Sequence, residues 1–298
     1  MPKVDLYQDS TQWLDWRKDK ITASDVAKVL NRSPYGTSYS LWQEKTKRVP
    51  PVAFNDNMRF GQRMEPFIRE YWSMTSDNAF SPACYEHPTI PYLAASLDGV
   101  TFEEDRILEI KTCNKEVFEQ AKEGIVVDHY YIQIQVQLMC VPSALFCDAV
   151  FANGLVNDVK SEHIAHNKVF PDEELQKLIK VECAKFKKLW ETDTPPEYTD
   201  KDYVFVGDDW NYSKAEREWL TAQESVKYAK GIEEEARKKM IMLAGERNAR
   251  GNHVKISKIK RSGSIDYKSL VESRGIDETE LEKYRKPSTE YFKPMIIK

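Results

Sequence analysis

Two short apolar runs, Ala95-Ser96-Leu97-Asp98-Gly99-Val100 and Ile107-Leu108-Glu109-Ile110-Lys111-Thr112, constrain this chain more than any other stretch. Side chains alternate along a strand, so Glu109 and Lys111 share one face while Leu108 and Ile110 take the other. The residues between, 101–106, carry Glu103, Glu104 and Asp105 and suit a hairpin connection. Folding the runs onto each other brings Asp98 beside Glu109. Two carboxylates and a lysine at the rim of an apolar sheet offer hard oxygen ligands to Mg²⁺. The lysine adds a positive charge that can stabilise developing negative charge or help to activate a water. The solvated face of an ordinary hairpin gives the same pattern. Against that, Ser96 and Gly99 are small residues around the acid, which suits a strand end where backbone approaches a ligand closely.

With 298 residues there is room for one large domain, or for a domain and an appendage. Hydrophobic residues at 41% and charged ones at 31% describe a folded soluble chain rather than a disordered one. A net charge of −4 means that any nucleic-acid surface must be locally basic. No apolar run approaches a membrane span, and residues 1–5 show no signal-peptide core. Cys84, Cys113, Cys140, Cys147 and Cys183 are odd in number and lack any Cys-x-x-Cys pair. They read as buried free thiols of a reducing cytoplasm, which argues against a zinc ribbon or an iron–sulfur cluster.

Upstream of the hairpin, Ser10–Trp16 carries a helix start, and Thr22 or Ser24 can cap a helix whose apolar face is Val26, Val29 and Leu30. Hydroxyls at a helix start near Arg17 suit an anion, phosphate above all, although a plain capped helix explains them too. Residues 57–74 repeat apolar side chains at helical spacing, with Glu65 set within them after Gly61. Downstream, residues 128–141 alternate Gln with apolar residues like a strand. Tyr130, Ile134, Gln137 and Val141 nevertheless form one helical stripe, and Pro142 ends it, so a helix is predicted. Gln133 and Gln137 then share a face and can orient a water or a phosphate. Strands are predicted near 144–150 and 159–166, with His163 and His166 as surface residues, followed by an amphipathic helix over 172–192. Asp193-Thr194-Pro195-Pro196 closes a core domain of residues 1–196. The extension 197–298 holds a linker, a long helix over 213–250 with a narrow apolar stripe, a basic strand over 252–262 and a tail.

The ordered motifs resemble the YqaJ-type viral recombinase family, the phage lambda exonuclease-like branch of the PD-(D/E)XK nucleases. Trp13, Arg17 and Ile21-Thr22-Ala23-Ser24 are similar to its Trp-x-x-x-Arg and Ile-Thr-Ala-Ser; Gly61 through Glu65 to its helical Gly-x-x-x-Glu. Ser96-Leu97-Asp98-Gly99, Glu109-Ile110-Lys111 and Gln133-Ile134-Gln135 complete the series, with Leu97 where the family name has proline. The resemblance implies an α/β (α+β) restriction-endonuclease-like core, a central mixed sheet flanked by helices, here with a helical C-terminal extension. It implies a phage or prophage enzyme of the host cytoplasm that digests linear duplex DNA 5′ to 3′ with two Mg²⁺ ions (Mn²⁺ substituting). The 3′ single strand left behind would serve a phage annealing protein, and a homotrimer around DNA is the implied assembly. Glu65, Asp98, Glu109 and the Ile110 carbonyl would hold metal, with Lys111 and Gln133 orienting the water. Arg17, Thr22, Ser24, Ser96, Thr112, Gln135 and Gln137 would contact the 5′-phosphate and DNA. A structure-specific or nicking endonuclease on the same core, and a non-catalytic DNA-binding scaffold, are the competing readings.

Overall fold

The computed structural model describes residues 3–50, 55–154, 159–245, 247–260, 263–277, 280–281, 283–286 and 294. The chain divides into two compact units, Met1–Phe205 and Val206–Lys298. The first opens with strand β1 (Lys3–Val4), helix α1 (Thr11–Lys18), strand β2 (Ile21–Thr22) and helices α2 (Val26–Val29), α3 (Ser38–Lys45) and α4 (Asp56–Thr75). Strands β3 (Ser81–Glu86), β4 (Leu93–Val100) and β5 (Arg106–Thr112) follow. Helices α5 (Lys115–Lys122) and α6 (Asp128–Cys140), strands β6 (Phe146–Ala152) and β7 (Ile164–Val169) and helix α7 (Glu173–Glu191) complete the core.

Seven strands form one mixed sheet in the order β1-β3-β4-β5-β6-β7, with β2 added parallel to β4. The pair β5–β6 is parallel and in register over Arg106–Thr112, and the other pairs along the path are antiparallel. One face buries Ile107, Leu97 and Cys147 with Ile132 and Val136 of α6 and Ile179 of α7. The opposite face packs Leu108, Ile110 and Val150 against Met64 and Ile68 of α4. The expected alternation along 107–112 is thus realised, with apolar residues serving both faces.

Several elements differ from expectation. Neither Thr22 nor Ser24 caps α2: Thr22 lies in β2, and its backbone N–H and hydroxyl both donate to the Asp25 carboxylate, at 3.0 and 2.9 Å. Gly99 answers to packing, since a Cβ there would stand 2.8 Å from that of Phe80 and 3.1 Å from that of Leu108. Residues 197–205 fold with the core rather than as a linker: the Tyr198 ring lies 4.4 Å from that of Tyr39, and Asp202 accepts the Thr37 hydroxyl. His166 is no surface residue, because its Nε2 lies 2.7 Å from the fully buried Asp148, which Arg106 also engages at 2.6 Å.

In the second unit, helix α8 (Trp210–Leu243) starts from an Asp209 cap and runs through Gly231, with no residue of it buried. Strands β8 (Ala249–Arg250) and β9 (Lys255–Ile256) form a two-stranded ladder, and helix α9 (Tyr267–Arg274) ends at Gly275 with φ +62°. The expected basic strand over 252–262 is reduced to β9; Ser262 lies outside the described residues.

Burial pushes the Asp148 carboxyl up, but hydrogen bonds from His166 and Arg106 and the guanidinium charge outweigh it and hold it below the ordinary range. A depressed carboxyl stabilises the fold above its unfolded value, and the contribution is lost as pH falls through the folded one. Asp148→Asn should therefore cost about 3 kcal/mol in urea denaturation at pH 7. The deficit should shrink as pH is lowered below about 4; a deficit independent of pH would contradict this role.

Candidate active site

Strands β4 and β5 pair only at Gly99–Leu108 and Val100–Ile107, next to their connection. Beyond those two pairs they part, and side chains occupy the gap. Asp98 Oδ2 accepts the Ile110 backbone N–H at 2.7 Å, where a ladder carbonyl would stand in a continuous pair. The register of β4 against β3 shifts between Leu97 and Val100, and the carbonyls of Ser96 and Asp98 take side-chain donors. Gln137 Nε2 of α6 donates to the first at 3.2 Å, and Arg69 Nη1 of α4 to the second at 2.6 Å. The parting thus replaces backbone hydrogen bonds by side chains that the buried polar groups require.

Three acids reach this gap from three elements: Glu65 from α4, Asp98 from β4 and Glu109 from β5. Glu109 is only 2% exposed, and three side-chain donors meet its carboxylate. Lys111 Nζ lies 2.5 Å and Gln133 Nε2 2.6 Å from its Oε1, and Gln137 Nε2 lies 2.5 Å from its Oε2. The two glutamines stand one turn apart on α6, as the helical reading of 128–141 requires. Arg69 Nη1 pairs Glu65 at 2.8 Å with the same nitrogen that holds the Asp98 carbonyl. The Gly61 Cα leaves room for Thr112, whose Oγ1 would be 3.0 Å from a Cβ there.

The electrostatics follow from burial of like charges. Desolvation, then the charges of Glu109 and Glu65, push the Asp98 carboxyl well above the usual range. Glu65 is raised chiefly by burial, against the pull of Arg69. Burial alone would lower the Lys111 amine, but Glu109 and Asp98 outweigh it and hold it above its ordinary value, so the side chain is an ammonium. Among the described residues no three His, Cys, Asp or Glu side chains stand grouped so as to hold an ion as placed. The donor chemistry nevertheless fits a hard divalent cation: three buried carboxyl groups meet Lys111 and Arg69, and burial and like charge favour the proton on Asp98 that a cation would replace. Glu65 would have to exchange its Arg69 contact for such an ion.

A second polar cluster borders the first. The Arg17 guanidinium lies over the Trp13 ring at 4.4 Å, and its Nη2 reaches Ser24 Oγ at 3.2 Å and Thr22 Oγ1 at 3.4 Å. Trp13 Nε1 donates to Ser96 Oγ at 2.8 Å, which ties this cluster to β4 two residues before Asp98. A guanidinium with two hydroxyls is an anion-binding set. Gln135, by contrast, faces away: it is fully buried, donates to the Phe170 carbonyl at 2.9 Å and accepts the Asp172 N–H at 2.8 Å. It fixes the β7–α7 turn and lies about 200° around α6 from Gln133, where no substrate reaches it. Arg69 and Gln8, which donates to the Leu97 carbonyl at 2.8 Å, were not apparent from the sequence. The one signal for Arg69 was its spacing four residues after Glu65.

Residues 12–143 match the model of the YqaJ-like viral recombinase domain. Among curated relatives, protein YqaJ of Bacillus subtilis is 25% identical over 127 residues, 42% of this chain and 40% of that one. Protein R354 of Acanthamoeba polyphaga mimivirus is 26% identical over 145 residues, 44% of this chain. The chain spans 40% and 26% of the lengths of these two relatives. Among solved structures, the alkaline exonuclease LHK-Exo of Laribacter hongkongensis is 25% identical, with a TM-score of 0.52 over 62% of this chain and 94% of that one. Its complex with dAMP superposes with a TM-score of 0.54 at 24% identity. The expected fold, a mixed sheet flanked by helices of the phage-exonuclease type, is the one observed. Among the described residues no helix is long and apolar enough to cross a membrane.

Arg69→Met should leave Glu65 and the Asp98 carbonyl without their donor and cost about 1–3 kcal/mol in urea denaturation at pH 7. Unchanged stability would show that the bridge between α4 and β4 contributes nothing.

Proposed function

We propose that this chain is a phage-type exonuclease that digests linear duplex DNA from the 5′ end by divalent-metal-assisted hydrolysis, leaving a 3′ single strand. The observation that carries the reading is that Asp98, Glu109 and Lys111 meet at the parting of β4 and β5, with Glu65 close enough to raise Asp98, and that Trp13 ties this gap through Ser96 to the Arg17–Ser24 cluster. The recombinase-domain match over 12–143 and the likeness to an alkaline exonuclease support it.

In this reading Glu65, Asp98, Glu109 and the Ile110 carbonyl would hold Mg²⁺, which supplies Lewis-acid polarisation of the phosphate and of the attacking water. The protein's own contribution is position and charge. Arg17, Thr22 and Ser24 grip the 5′-phosphate of the terminal nucleotide, which sets the next phosphodiester toward Asp98. Water attacks the phosphorus, the P–O3′ bond breaks, and the 3′-oxygen takes up a proton. The Lys111 ammonium stabilises the negative charge that builds on the phosphoryl oxygens. Gln133 and Gln137 keep the Glu109 carboxylate oriented, so they are positioning residues. Ser96 acts through Trp13, and Thr112 through its place beside Gly61. The reading extends to a homo-oligomer on DNA and to hand-over to an annealing protein.

Lys111→Ala and Asp98→Asn should each lower the release of mononucleotides from linear duplex by about 10²-fold or more, with the circular dichroism spectrum retained. Undiminished digestion by either variant would overturn the reading. Arg17→Ala should slow digestion of 5′-phosphorylated ends more than of 5′-hydroxyl ends; an equal loss on both would remove its phosphate role. Cleavage of covalently closed circles at a comparable rate would favour an endonuclease instead.

A further inference from the structure

Beside Lys111 stands a row of rings that the chemistry above does not use. The Lys111 Nζ lies 5.2 Å from the Tyr130 ring centroid. Tyr130 contacts the His129 ring at 4.0 Å, and His129 contacts Tyr35 edge to face, at 5.4 Å and 86°. Tyr130 and His129 open α6, while Tyr35 belongs to the loop between α2 and α3. Tyr35 is 71% exposed, so the row ends in an aromatic face presented to solvent.

That face is held in place. Arg32 pairs with Asp128 at the start of α6 through two of its nitrogens, which staples the loop to the helix. Asn31 adopts φ +55°, and its side-chain oxygen accepts the Ser38 N–H at 2.7 Å. The Tyr35 N–H donates to Ser33 Oγ at 3.1 Å, and Lys201 Nζ donates to the Ser33 carbonyl at 3.1 Å. An exposed tyrosine fixed at its backbone and backed by two further rings has already lost the freedom that binding would otherwise cost. It does not close the hydrophobic core, since its own ring stays in water. Stacking a base on such a ring is sequence-tolerant, because every base has a π-face.

We infer that Tyr35, backed by His129 and Tyr130, is a stacking platform for one nucleobase of the DNA strand whose phosphodiester lies at Lys111. The inference rests on the nuclease reading and adds to it a base contact. The platform would take a base released from its partner near the cleaved end and keep the backbone in line with the lysine. Arg32, locked to Asp128, serves as a positioning residue for the loop.

The test uses the full chain in Ca²⁺ buffer with a 5′-phosphorylated duplex carrying 5-iododeoxyuridine at successive positions from the end. Irradiation should cross-link wild type through the peptide containing Tyr35 at one or two adjacent positions, as read by mass spectrometry. Tyr35→Ala should bind the duplex about 10-fold more weakly by fluorescence anisotropy, while Tyr35→Phe and Tyr35→Trp bind like wild type. Because the ring is exposed, the Tm of Tyr35→Ala should be unchanged, which separates a lost contact from a lost fold. If wild type binds and digests DNA but Tyr35→Ala binds equally well, or the cross-link forms elsewhere, the platform is refuted and the nuclease reading stands. If wild type neither binds nor digests DNA, both fall together.

Discussion

The early parting of β4 from β5 is the constraint on which the rest of the site depends. A hairpin that stayed paired beyond Leu108 would use the Ile110 N–H in its own ladder. Because the pairing stops after Val100–Ile107 and Gly99–Leu108, that N–H needs another acceptor, and the Asp98 carboxylate supplies it, while Gln137 and Arg69 donate to the nearby Ser96 and Asp98 carbonyls. Asp98 enters the opening from β4 and Glu109 from β5, and Glu65 of α4 stands near enough for its charge to push the Asp98 carboxyl up. The parallel β5–β6 ladder, in register over the whole of β5, keeps the other side rigid.

The electrostatic consequence is a buried cluster of acid groups whose like charges oppose one another. Glu109 is met by an ammonium and two amides, yet Asp98 is still pushed up by its neighbours and by burial. Burying like charges together is unfavourable unless something else uses the site. The two cations at the site are divided: Arg69 bridges α4 to β4, and Lys111 belongs to Glu109. In the proposed reaction this division gives them different tasks, the arginine assembling the acids and the lysine meeting the charge on the substrate. The Arg17 cluster is separate but joined to β4 by the Trp13–Ser96 hydrogen bond, so it and Asp98 are held by one strand.

Much of this was legible in the residues. The 95–112 hairpin announced itself by alternation, α4 by apolar spacing around Glu65, and α6 by a helical stripe that overrode its strand-like Gln alternation. The glutamines one turn apart do meet Glu109. What was not legible depends on contacts distant in sequence. Arg69 reads as a routine helix partner of Glu65 until β4 is placed beside it. Gln135 looks like a third amide of the same set, but the rotation of α6 turns it to the β7–α7 junction. His166 and Asp148 are ordinary strand residues until β6 and β7 pair Val150 with His166 and bring the imidazole to the carboxylate. The α2 cap was misread because Asp25 uses its carboxylate on the Thr22 N–H and hydroxyl rather than on the helix.

The account stands on Glu65, Asp98 and Glu109 acting as one cation site despite coming from three separate elements. Calorimetric titration of the full chain with Mn²⁺, in parallel with Glu65→Gln, Asp98→Asn and Glu109→Gln, tests that directly. Wild type should bind, and each substitution should weaken binding at least about tenfold, as expected when one charged oxygen ligand is lost from a shared site. Binding that survives undiminished in any one of the three variants, or that is absent from wild type, would contradict it.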